Sequence, residues 1–286
     1  MKLATFTHRG RTRVGIVHDS DILDLAQADP SLPHEMSELL AAGQPALARM
    51  RALASGAGTR IALETVRLEA PVMRPRKFLA IGLNYADHIA ETGRGAPDFP
   101  VFFNKQTTCV TGPYDPIVRP RVSTALDYEG ELGFVVGERC RHVPRDQAHR
   151  VIAGYLVVDD VSVRDWQFRA PTLTLGKSFD THGPIGPWIV TPDEVGDPHA
   201  LELRTWVNDD LRQHSNTRNL IFDCFAMVET LSTVFTLEPG DIISTGTPSG
   251  VGMPTQNWLV PGNVVRIEID GIGTIRNEVV DESEAV

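Results

Sequence analysis

From Lys77 almost to the C-terminus, the chain is a succession of short apolar runs separated by turn residues. KFLAIGL, PVFFNK, LDYEGELGFVVG, VIAGYLVVDD, GPWIVT, LELRTWV, DIISTG, VVRIEID and GTIRNEVV all read as strands. Runs this short, rich in Val, Ile and Phe, suit sheets covered on one or both faces. Long helices do not alternate with them, which disfavours a doubly wound parallel sheet. The pattern predicts an α+β fold, mostly β, built as a mostly antiparallel sandwich or a barrel-like roll. Residues 144–150 and 160–168 are short helical candidates. Residues 221–235, IFDCFAMVETLSTVF, are a longer one, with apolar residues recurring at three and four. Asn208-Asp209, and Gly271 with Gly273, read as hairpin turns.

The first 70 or so residues read differently, as a small α/β unit. KLATFTH and RTRVGIVHD alternate as two strands joined by Arg9-Gly10. Residues 35–53 look helical, with an interruption near Gly43-Gln44-Pro45. Pro71, Pro75 and the basic Arg74, Arg76 and Lys77 suggest a linker. The expected division is a small N-terminal domain over residues 1–72 and a larger domain over 73–286.

Charge narrows the range of partners. The net charge is −10, and nucleic-acid backbones demand clustered Lys and Arg, so nucleic acid is not an expected partner. An anionic membrane surface is disfavoured for the same reason. No apolar run approaches the roughly 20 residues of a membrane helix, and Arg9 precedes any leader-like apolar stretch, so no secretory signal is expected. The cysteines are 3 in number, widely spaced and without a CxxC. Core thiols and a reducing cytoplasm are the expectation. The lysines are few, which draws attention to Lys2, Lys77, Lys105 and Lys177.

The most informative segment is Asp127-Tyr128-Glu129-Gly130-Glu131-Leu132. In a strand, residues two apart share a face, so Asp127, Glu129 and Glu131 are expected on one side, with Tyr128 and Leu132 on the other. Clustered carboxylates repel unless a positive charge compensates them. A hard dication such as Mg²⁺, Mn²⁺ or Ca²⁺ would do so; a solvated acidic strand face is the alternative. YLVVDDVSVRDWQF then runs from a strand into Asp159-Asp160 and an expected helical turn. Asp160, Arg164 and Gln167 fall on one face of that turn. The carboxylate could complete an oxygen shell, and the guanidinium could pair with a substrate carboxylate.

IGLNYADHIAETG supplies a candidate base. Asn84 is expected to cap a short helix, with Asp87 as its reciprocal partner. His88 and Glu91 lie one turn apart, and a carboxylate orients an imidazole and raises its basicity, as water activation requires. Gly93 and Gly95 could let the segment move as a lid. Lys177, in the polar loop TLGKSFDTHGP, could stabilise a developing oxyanion or enolate. STGTPSGVGM matches neither dinucleotide nor P-loop signatures, so nucleotide binding is rejected. Its glycines could bring backbone amides close to a ligand, or only shape a turn. There is no G-x-S-x-G elbow and no HExxH.

Taken together and in this order, IGLNYADHIAETG, PVFFNKQTTCVTGP, DYEGELGFVVG, GYLVVDDVSVRDWQ, LGKSFDTHGPIGPW and GDIISTGTPSGVGM resemble the fumarylacetoacetate hydrolase family. The N-terminal unit resembles that of its longer bacterial members. The resemblance implies that Glu129, Glu131 and Asp160 bind Mg²⁺ or Mn²⁺. It implies that His88 and Glu91 form a water-activating dyad on a mobile lid, and that Lys177 lies near the metal. It places Arg164, Gln167 and Thr247 against the substrate, and it implies a homodimer. Asp127 is extra to the metal set and is expected behind the ligands or facing solvent.

The implied substrate is a small 2-oxo acid that chelates the metal through its carboxylate and keto oxygens, so that an enolate is stabilised when the adjacent bond breaks. An acylpyruvate or 2,4-diketo acid would then undergo C–C hydrolysis. The same enolate serves decarboxylation of oxaloacetate or isomerisation of hydroxymuconate-type diacids. A non-enzymatic β-rich metal-binding module is the third reading; it would have no use for His88, Glu91, Arg164 and Lys177 together.

Overall fold

The computed structural model describes residues 1–56, 58–92, 95 and 97–283. Its frame is a 12-stranded open sheet. In spatial order the main path runs Arg60–Ala62, Asp21–Asp24, Arg11–His18, Lys2–His8, Gly183–Val190, Ile152–Asp159, Gly130–Val136, Ile242–Ser244, Phe78–Gly82 and Val101–Lys105. Pairing is antiparallel except where Ile242–Ser244 meets Phe78–Gly82 and where Val110-Thr111 joins Gly183-Pro184. A second, five-stranded sheet is ordered Asp210–Asn216, Glu202–Val207, Val264–Ile269, Gly273–Asp281 and Ile117–Arg119. The α+β, mostly β expectation holds.

The central strand Gly130–Val136 is buried along its whole length. Leu132, Phe134 and Val136 face a core shared with the second sheet and with Met227, Val228 and Leu231 of the helix Cys224–Val234. Val135 faces the opposite way, into a core with Leu156, Val158, Ile242, Leu39 and Met50. Burial on both faces explains why the stretch from Leu132 to Val136 is continuously apolar rather than alternating, with Glu131 at the site end of the strand as the exception.

Residues 1–72 extend the frame rather than standing apart from it. Lys2 and Leu3 pair with Val190 and Ile189. Leu3, Ile16, Leu39 and Met50 share one core with Val135, Ile185 and Ile242. The two helices Met36–Ala41 and Gly43–Ala54 meet at the interruption read from Gly43. Arg9-Gly10 and Asn208-Asp209 form the expected turns, with Arg9, Gly10 and Asn208 at positive φ. Residues 145–150 form a 3₁₀ helix, and Asp223 caps the later helix by accepting from the Ala226 amide.

Two local expectations are corrected. Residues 160–168 are not one helix: Asp160 follows the strand Ile152–Asp159, Ser162–Val163 form a short strand, and only Arg164–Gln167 are helical. Asn84 does not cap the helix Ala86–Thr92. Its amide bridges Thr245 O and Phe222 O as donor and the Phe222 amide as acceptor. Three backbone groups remote in sequence outcompete the local cap. Among the described residues, no helix is long and apolar enough to cross a membrane.

Candidate active site

The site forms where the strands Gly130–Val136 and Ile152–Asp159 end side by side. Gly130 pairs with Asp159, so Glu129 and Glu131 flank the position from which Asp160 emerges. One carboxylate oxygen from each of Glu129, Glu131 and Asp160 lies within 4.8 Å of the others, and all three side chains are buried. The two-residue spacing brings Glu129 and Glu131 together as expected.

Asp127 departs from that pattern. It belongs to a separate two-stranded pair, Leu126-Asp127 with Ser162-Val163, and the chain breaks strand geometry before Gly130. Its carboxylate is fully buried and is not among the three converging donors. One oxygen is 2.8 Å from Arg164 Nε and 2.7 Å from Nη2. It also accepts from the Gly252 and Met253 amides. Asp127 therefore sits behind Arg164, not in solvent.

Cations thread the carboxylates. Lys177 Nζ lies 2.6 Å from Glu129 Oε2 and 2.8 Å from Asp160 Oδ2. Its position depends on Gly176: a Cβ there would meet the Gln167 amide nitrogen at 2.2 Å, so only glycine lets this turn lie on the helix end. Lys105, which the sequence reading noted without assigning a role, is 2.5 Å from Asp160 Oδ1 and also donates to Lys177 O. Arg164 Nη1 reaches Glu129 Oε1 at 2.6 Å and Gln167 Oε1 at 2.9 Å. Arg164 thus engages Asp127, Glu129 and Gln167 through Nε and Nη1, while Nη2, buried near Asp127, has no hydrogen-bond partner among the described residues. Asp160, Arg164 and Gln167 do converge, but through a strand end and a single helical turn.

The electrostatics show an uncompensated excess. Burial alone would raise Glu129, yet Lys177 and Arg164 hold it down to about 2. Glu131 is pushed well above the carboxylate range by burial and then by Asp160 and Glu129. It is held by Ser244 Oγ and by the Gly246 amide at 2.8 Å. Burial raises Asp159 to about 7, and its Oδ2 has no hydrogen-bond partner among the described residues. Five buried carboxyls (Asp127, Glu129, Glu131, Asp159, Asp160) thus face three buried cations (Lys105, Arg164, Lys177). Fully ionised, these would carry two negative charges more than the cations balance; Glu131 and Asp159 relieve that excess by retaining protons, and one hard divalent cation at the three converging oxygen donors would take the protons' place.

The dyad forms as expected. His88 Nδ1 is 3.0 Å from Glu91 Oε2, with His88 buried on the helix Ala86–Thr92. His88 is close enough that its charge helps lower Glu129. The proposed hinge residue Gly93 lies outside the described residues. Thr247 is buried, and its hydroxyl donates to Gly130 O at 3.1 Å and accepts from Gln213 at 2.8 Å. The amides of the glycine-rich loop bind protein carboxylates: Gly246 donates to Glu131 and Gly250 to Glu91.

Comparison with known proteins gives the chain its family. Residues 77–280 match the fumarylacetoacetate hydrolase C-terminal family, and the chain belongs to that family. It is 41% identical to the mitochondrial oxaloacetate tautomerase fahd2 of Xenopus laevis over 264 residues, covering 91% of this chain and 83% of that protein. The crystal structure of maleylpyruvate hydrolase from Sphingobium sp. SYK-6, in complex with manganese(II) and pyruvate, superposes with a TM-score of 0.83 at 38% identity, covering 99% of this chain and 100% of that one. The 5-carboxymethyl-2-hydroxymuconate delta-isomerase of Mycobacterium smegmatis does so with a TM-score of 0.80 at 35% identity, with the same coverage. The family therefore spans hydrolases, isomerases and tautomerases.

Proposed function

We propose that this protein is a metal-dependent hydrolase that cleaves a C–C bond in a small acylpyruvate or 2,4-diketo acid. The observation that carries the reading is the His88–Glu91 pair, 3.0 Å apart, beside the buried carboxylates. Glu129, Glu131 and Asp160 would hold Mg²⁺ or Mn²⁺. The ion would supply concentrated positive charge for the oxygens of a 2-oxo acid.

The chain's own residues then divide the work. Glu91 fixes the orientation of the His88 ring, so His88 can take a proton from water. The water oxygen bonds to the distal carbonyl carbon, and the C3–C4 bond breaks with its electron pair passing into the pyruvate enolate. The distal fragment leaves as a carboxylic acid, and the proton held by His88 is returned to C3. Lys177 and Arg164 add fixed positive charge around the anion and exclude bulk water.

A second reading is isomerisation, tautomerisation or decarboxylation of a related acid on the same carboxylates; the Xenopus and mycobacterial relatives support the tautomerase and isomerase forms of it. It requires a proton to be moved and no water to attack. Metal-supplemented assays of acetylpyruvate and oxaloacetate, side by side, test the choice. Stoichiometric pyruvate and acetate from acetylpyruvate is the expected result. Oxaloacetate turnover with inert acetylpyruvate would favour the second reading.

A further inference from the structure

The dyad is tied to the metal-ligand strand through one glycine. Gly250 donates its amide to Glu91 Oε1 at 3.1 Å, leaving Oε2 on His88. The carbonyl of the same Gly250 accepts from the Tyr128 hydroxyl at 2.8 Å. Tyr128 is buried and immediately precedes Glu129.

The surroundings leave Gly250 little freedom. Its φ is +99°, and a Cβ there would lie 2.0 Å from the Arg212 carbonyl oxygen. Gln213 anchors the loop before it, donating to Thr247 Oγ1 at 2.8 Å and Pro248 O at 2.9 Å. Asp127 anchors the loop after it, through the Gly252 amide at 2.7 Å. At the start of the dyad helix, Asp87 accepts from Ser215 Oγ at 2.6 Å. The helix is thus clamped at two points.

We propose that Tyr128 is a positioning residue for the dyad: its hydroxyl fixes Gly250, Gly250 fixes Glu91, and Glu91 orients His88. A carboxylate with one oxygen committed to an amide presents the other in a defined direction. Without that contact it rotates freely about its terminal bond. The effect on turnover rests on the hydrolase reading, whereas the mechanical link does not.

The test is Tyr128→Phe in the full chain, which removes one oxygen and keeps the buried ring. Hydrogen–deuterium exchange across residues 86–91 is expected to quicken about tenfold, the scale of one net hydrogen bond. With Mn²⁺ present, kcat for acetylpyruvate hydrolysis is expected to fall about tenfold at unchanged KM, and the same substitution in a Glu91→Ala background should add less than about twofold. Mn²⁺ affinity by calorimetry should not change. Unchanged exchange, an equal loss in the Glu91→Ala background, or a parallel loss of Mn²⁺ affinity would each overturn the proposal. If the parent protein with Mn²⁺ leaves acetylpyruvate intact, the hydrolase reading fails and the exchange rates still decide the link; if Glu91→Ala hydrolyses acetylpyruvate at the parental rate, Glu91 does not orient the base and the proposal is overturned.

Discussion

The ammonium of Lys105 lies 2.5 Å from Oδ1 of Asp160, and neither side chain reaches solvent. Removing Lys105 leaves the buried Asp160 only Lys177, at 2.8 Å, as an ion-pair partner among the described residues, and takes the side-chain donor from the Lys177 carbonyl. Lys105→Met is therefore expected to destabilise the metal-free protein by about 3 kcal/mol. Added Mn²⁺ should recover part of the loss by neutralising Asp160. Urea denaturation with and without Mn²⁺ measures both, and an unchanged midpoint would contradict the pairing.

Glu131→Gln separates charge from shape. The amide keeps an oxygen for Ser244 and Gly246 but cannot ionise, so the repulsion from Asp160 and Glu129 that holds the proton on Glu131 is lost. The metal-free protein is expected to be at least as stable as the parent. Mn²⁺ affinity, read by calorimetry, is expected to weaken by about 100-fold or more, exceeding the usual loss from altering a residue that merely supports a ligand.

His88→Ala should leave the metal site intact and lower acetylpyruvate hydrolysis by roughly 10²–10⁴-fold, the usual contribution of a general base. Mn²⁺ binding at parental strength with hydrolysis lost is the expected pattern. Parental hydrolysis rates would remove His88 from the mechanism.

Metal stabilisation should grow with pH. In the metal-free fold Glu131 binds its proton more tightly than an unfolded glutamate does. The folded state thus loses stability as pH rises above the ordinary carboxylate range towards the raised value, where Glu131 ionises. A dication competes with that proton, so the Mn²⁺-induced rise in Tm should be larger at pH 8 than at pH 5. A larger rise at pH 5 would rule this account out.

His182 gives the opposite limb. Burial lowers it to about 3, and Nε2 donates to Val118 O at 2.9 Å. A histidine kept neutral by the fold contributes its stability above the unfolded value of about 6.5 and loses it as pH falls from there towards about 3. His182→Gln should flatten the stability profile between pH 6.5 and pH 4 in urea titrations. An unchanged slope would assign acid sensitivity elsewhere.

What was legible in the sequence depended on range. Glu129 and Glu131 could be paired because strand periodicity is a local property. Asp160 could be added because it ends a recognisable strand. Lys105 could not be assigned, since its contact with Asp160 depends on how the edge strand Val101–Lys105 packs against the turn carrying Lys177. Asn84 misled for the same reason: the residues around it spell a cap, but its partners lie 138 and 161 positions away. Asp127 was placed with its neighbours because nothing in Asp-Tyr-Glu announces the break in strand geometry that turns it towards Arg164.

The pairing of Lys2 and Leu3 with Val190 and Ile189 has a practical corollary for anyone trimming this chain. A fragment confined to the family-matched segment 77–280 would expose the flank of Gly183–Val190 as a raw, hydrogen-bond-hungry margin and strip the cover from Val135, Ile185 and Ile242. Such margins recruit other chains, so the fragment would be expected to clump in the test tube rather than work as a minimal enzyme.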